Sequence, residues 1–143
     1  MPVLERYRSS RAWNVNGNVL VASVLAVLLT AATLEAIQSL IGGMLSALLL
    51  SAILDAIYDV AIFAGLHAWT KTHRPRFLRD LGLLQAHRFF LSPLFYLVAV
   101  PGQALLLLAG FSTATSLLAY LLALLVTRGV HTAYGLRTGL FDR

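Results

Sequence analysis

Cysteine is absent from the chain. That excludes a disulfide framework, a zinc–thiolate site, a cysteine-ligated iron–sulfur cluster and a thiol nucleophile. Charge is scarce as well. Asp, Glu, Lys and Arg make up 12% of the 143 residues, against about one quarter in a typical soluble domain, so a water-soluble core domain does not fit. The sequence also lacks a glycine-rich phosphate cradle, a serine-centred nucleophile elbow and the multi-aspartate signature of membrane alcohol-phosphate transferases. What fills the space is apolar: 59% of the residues are hydrophobic.

The net charge of +5 and pI near 10.2 would point to nucleic acid in a soluble protein. Here the basic residues gather at the ends of apolar runs, as orientation in a bilayer requires, and no nucleic-acid partner is expected. Four spans are predicted, over residues 18–41, 43–69, 89–110 and 114–134, because about 20 apolar residues cross a hydrocarbon layer of about 30 Å. The basic N-terminal segment followed by an apolar run resembles a signal peptide in outline. The run is long and no small-x-small cleavage site follows it, so an uncleaved first span is expected.

Gly42-Gly43 predicts a tight turn between the first two spans, and Ser112 or Thr113 a helix cap before the fourth. The third span contains Pro93 and Pro101, with a kink expected at Pro101. The segment 70–88 is expected to be a basic cytoplasmic loop facing anionic headgroups, with an amphipathic interface helix over 76–87. Every Lys and Arg except Arg128 lies in the N-terminal tail, this loop or the C-terminal tail. The expectation is therefore an all-α, four-helix transmembrane bundle of two antiparallel hairpins. Both termini are cytoplasmic and the membrane is of the bacterial inner type. Trp13 and Trp69 are expected as interfacial anchors on the cytoplasmic side.

The chain is organised around the second span, which carries Asp55 and Asp59 well inside its apolar length. An acid at a bilayer centre costs about 2.5–3.5 kcal/mol on insertion scales, so such residues face protein or water and commonly serve a function. Spacing of four puts Ser51, Asp55 and Asp59 on one helical face, which continues past Phe63 to His67. Counted at about 1.5 Å per residue from the cytoplasmic end, Glu35 lies about 25 Å deep, and Asp55, Gln103 and Tyr120 about 21 Å. A shared polar layer is predicted at that level, with Arg128 on the fourth helix within reach of Asp59.

Three readings remain open. In the first, Glu35, Asp55 and Asp59 bind or pass a cation or proton. Oxygen ligands alone suit a hard ion, while adding His67 or His131 admits a divalent zinc, manganese or iron; haem held by His67 and His131 would need the two on facing surfaces. In the second, the chain is a structural or assembly subunit of a larger complex, with Asp59 and Arg128 pairing helices two and four and Glu35, Asp55, Gln103 and Tyr120 bonding across the bundle or a subunit interface. In the third, it is a metal-dependent enzyme acting on a membrane lipid. Four helices offer few side chains to enclose a pathway, so a homo-oligomer or larger complex is expected.

Overall fold

The computed structural model describes residues 11–70 and 77–138. Within these the side chains of 11–13, 15, 16, 77–91, 131, 132, 134–136 and 138 are not described. The described residues form four long helices and no strand: α1 (Arg11–Ala36), α2 (Met44–Thr70), α3 (Phe77–Leu108) and α4 (Leu118–Thr138).

Helix α1 is already helical at Arg11 and runs through a stretch rich in asparagine, a residue that favours turns and helix entries. Asn18 Nδ2 donates to Asn14 Oδ1 one turn back at 3.3 Å and to Thr70 Oγ1 of α2 at 2.9 Å. The side chains that would compete for the backbone are thus engaged elsewhere, and the helix continues. At its other end α1 stops at Ala36, earlier than the expected 41, and a 3-10 turn over Gln38–Leu40 leads toward Gly42-Gly43.

The largest departure from expectation is α3. A separate interface helix over 76–87 and a third span from 89 are replaced by one helix over Phe77–Leu108, and the basic segment 70–88, where described, is the end of α2 and the opening turns of α3. No proline or glycine lies between Gly82 and Pro93 to interrupt it, and both Pro93 and Pro101 sit inside the helix. Each proline removes one backbone hydrogen bond without ending the helix.

Helix α3 ends where Gly110 takes the left-handed conformation (φ 87°). Phe111 N then donates to Leu106 O at 3.1 Å and Gly110 N to Leu107 O at 3.0 Å, a Schellman closure that satisfies the last carbonyls. Ser112 caps the one-turn helix Thr113–Ser116, accepting from Thr115 N at 3.1 Å, as the sequence predicts. That turn runs through Leu117 into α4.

Helix α1 packs along α2 and α3 along α4, and α2–α3 contacts join the pairs. Gly102 allows the α3–α4 approach: a Cβ there would stand 3.0 Å from that of Ala119. The hydrogen-bonded pairs Asn18–Thr70, Ser23–Asp59 and Thr33–Tyr58 show residue numbers rising along α1 as they fall along α2. One buried cluster joins Val27 and Leu34 of α1, Ala99 of α3, and Leu117, Tyr120 and Ala123 around α4. A second joins Val19 and Ala22 to Phe63.

Among the described residues, polar side chains are buried beside an apolar core while large apolar side chains stay exposed. Large apolar side chains such as Leu45, Ile57, Leu122 and Leu125 are more than half exposed. Asn18, Thr30, Ser51, Asp55, His67 and Gln103 are buried. Three stretches, Gly17–Ala36, Met44–Thr70 and Thr113–Val130, are long and apolar enough to cross a membrane, and the apolar part of α3, Ser92–Leu108, is shorter.

Candidate functional site

The spacing of four along α2 places Ser51, Asp55 and Asp59 on the face turned toward the other helices. Asp55 is 4% exposed and Ser51 fully buried. The Tyr96 hydroxyl on α3 lies 3.3 Å from both Asp55 Oδ2 and the Ala52 carbonyl, to which it donates. One turn along, Asp59 Oδ1 accepts a hydrogen bond from Ser23 Oγ of α1 at 2.8 Å.

Both carboxylates open on a cavity of about 60 Å³ lined also by Ser23, Ser92, Tyr96, Thr127 and Arg128. All four helices contribute a polar group. The volume has room for on the order of four waters, at about 10–15 Å³ each. Arg128 brings the guanidinium of α4 to the same wall, and its Nε is buried with no hydrogen-bond partner among the described residues. Thr127 is turned back on its own helix, its Oγ1 donating to the carbonyls of Ala123 and Leu124 at 2.8 and 3.2 Å. Two carboxylates and one guanidinium thus stand around the same cavity among the described residues.

A second, uncharged polar level lies one turn along α2 from Asp55. Gln103 of α3, fully buried, donates through Nε2 to Ser51 Oγ at 2.7 Å and to Ser116 Oγ at 3.2 Å. Ser51 donates onward to the Ala47 carbonyl and Ser116 to that of Thr113, each at 2.7 Å. Both hydroxyls are therefore acceptors toward Gln103, which fixes the amide with its nitrogen toward them. Gln103 Oε1, Tyr120 OH and Thr30 Oγ1 are buried with no hydrogen-bond partner among the described residues. An unpaired buried polar group costs about 1–3 kcal/mol.

The residues singled out from the sequence fall in different places. Asp55, Asp59 and Arg128 line one cavity. Tyr120 is fully buried, its ring edge-on to Phe95 at 5.6 Å and Tyr96 at 6.3 Å. His67 is buried on the same α2 face two turns beyond Asp59, stacked on Phe63 at 5.6 Å. Glu35 does not join the predicted layer: it is exposed in the last turn of α1. The buried residues Val27, Thr30 and Leu34 define the inner face of that helix, and Glu35, one residue after Leu34, is rotated about 100° away from it. The side chain of His131 lies outside the described residues. Among the described residues no group of three or more His, Asp or Glu is arranged to hold a metal ion.

Sequence reasoning missed Ser23, Ser92 and Tyr96. The signal was present as helical spacing: Ser92, Tyr96, Ala99 and Gln103 share one face of α3, and Ser23, Val27, Thr30 and Leu34 one face of α1. Comparison of the chain with family models, curated proteins and solved structures returns no match.

Proposed function

We propose that the chain is a small integral membrane protein, a four-helix bundle of two antiparallel hairpins, in which Asp55 and Asp59 bind and pass a proton or a small cation. Apolar side chains outside and polar ones inside are the arrangement a lipid environment requires. The apolar part of α3, 17 residues from 92 to 108, meets the lower limit of about 17 for a spanning helix. The distribution of Lys and Arg supports cytoplasmic termini and a bacterial-type inner membrane. A homo-oligomer or a larger membrane complex is part of this reading, since four helices enclose little space.

One observation carries the functional part: two carboxylates in an otherwise apolar chain share a cavity to which every long helix brings a polar side chain. A bundle held together by packing alone has no need of acids there, and intramembrane acids mark ion and proton pathways. The test is ion and proton flux into vesicles carrying the purified chain, compared with Asp55→Asn. Flux in the wild type that falls to the empty-vesicle level in the variant, with insertion intact, supports the reading. Equal flux in both sinks it.

The presence of Arg128 in the same cavity favours a second reading, in which charge balance between α2 and α4 locks the bundle of an assembly subunit. Asp59→Ala and Arg128→Ala would then lower the yield of assembled protein. Normal assembly in both counts against the lock.

A further inference from the structure

The neutral level around Gln103 is not needed to hold a cation at Asp55, and it bears on which ion the site handles. Resting on the reading above, we propose that the ion is a proton and that it moves between the Asp55 cavity and the 109–112 turn. Its route is a water-bearing polar thread through Tyr120, Thr30 and the Gln103 amide.

The proposed thread follows helix faces and buried neighbours along the bundle. Asp55 accepts from the Tyr96 hydroxyl, and the Tyr96 ring meets Tyr120 edge-on. Tyr120 belongs to the core cluster that includes Val27, Leu34 and Ala99. Thr30 lies between the first two on the same face of α1, and Gln103 lies one turn from Ala99 on the same face of α3. Three buried oxygens from three helices, Tyr120 OH, Thr30 Oγ1 and Gln103 Oε1, thus border one core, and none has a hydrogen-bond partner among the described residues. Buried polar atoms are satisfied by ordered water where protein offers no partner. On the far side Gln103 reaches Ser116, next to the Ser112 cap at the exposed end of the bundle.

The chemistry of this level discriminates between ions. Ser51 and Ser116 already donate to backbone carbonyls and accept from Gln103 Nε2, so each has a single lone pair left to offer a metal. A hard cation needs about six oxygen ligands, and three scattered oxygens do not supply them. A proton needs only a connected series of hydroxyls and waters. Gln103, Thr30 and Tyr120 orient the water and do not themselves ionise in this scheme; the proton is taken up and released at the carboxylate.

The full chain, reconstituted in phosphatidylethanolamine–phosphatidylglycerol vesicles with a trapped pH dye, is driven by a potassium diffusion potential with valinomycin. Sodium and magnesium uptake are measured in parallel. The wild type should conduct protons and neither metal ion. Tyr120→Phe and Gln103→Leu should each lower proton flux about tenfold, the effect of raising a barrier by about 1.4 kcal/mol. Tyr120→Phe removes one oxygen and keeps the ring, so it carries the test if Gln103→Leu does not fold; size exclusion and circular dichroism check folding of each. Wild-type proton flux in both folded variants, with flux lost in Asp55→Asn, overturns the thread and leaves the carboxylate reading standing. Metal-ion flux in place of proton flux overturns the proton assignment alone. Asp55→Asn conducting like the wild type overturns the reading on which both rest.

Discussion

Two of the acids in the apolar lengths of α1 and α2, Asp55 and Glu35, have surroundings that differ completely. Asp55 is buried, hydrogen-bonded by Tyr96 and set on a cavity with Asp59 and Arg128. Glu35 is exposed one residue before α1 ends, beside the 3-10 turn. Angular position separates them: Asp55 faces the bundle, and Glu35 is turned about 100° from the inner face of α1. Side chains from every long helix line the cavity, and the turn near Glu35 is not part of its lining. The proposed role therefore rests on Asp55, and Glu35 is an exposed acid at a helix end.

Substitutions can break or sharpen this contrast. Asp55→Asn has the largest expected effect, loss of flux to the empty-vesicle level with the helical content by circular dichroism unchanged. Ser23→Ala comes next. It removes the 2.8 Å bond to Asp59, and thermal unfolding in detergent should show a loss toward the upper end, about 1.7 kcal/mol, of interhelical hydrogen bonds measured in membranes. Tyr96→Phe removes a longer contact at 3.3 Å and should cost nearer their average, about 0.6 kcal/mol. A larger loss for Tyr96→Phe than for Ser23→Ala would show that the Asp55 level, not the Asp59 level, bears the structural load. Glu35→Gln should stay within about 0.5 kcal/mol of the wild type, as expected for an exposed site. A clear destabilisation there would mean that Glu35 meets a partner chain, and the contrast between the two acids would fail.

Much of this architecture is legible in the sequence because it depends on local rules. The same-face set Ser51, Asp55 and Asp59 follows from a period of 3.6 residues, and all three are buried or half-buried. The turns at Gly43 and Gly110 and the Ser112 cap follow from backbone chemistry at single positions. The remainder depends on information that no single helix contains. Which face of α1 turns inward decides the fate of Glu35, and that is set by what α2 and α4 present to it. The helical state of Asn14 and Asn18 depends on Thr70, more than fifty residues away. Helix α3 runs unbroken through the expected boundary near 88 because a change from basic to apolar composition does not interrupt backbone hydrogen bonding.

The central claim is that Asp55, and not every acid in an apolar helix, is the functional group. Its most direct test is proton flux measured side by side for the wild type, Asp55→Asn and Glu35→Gln in the same vesicles. The account predicts empty-vesicle flux for Asp55→Asn and wild-type flux for Glu35→Gln. Equal flux in all three, or loss in Glu35→Gln with retention in Asp55→Asn, would contradict it.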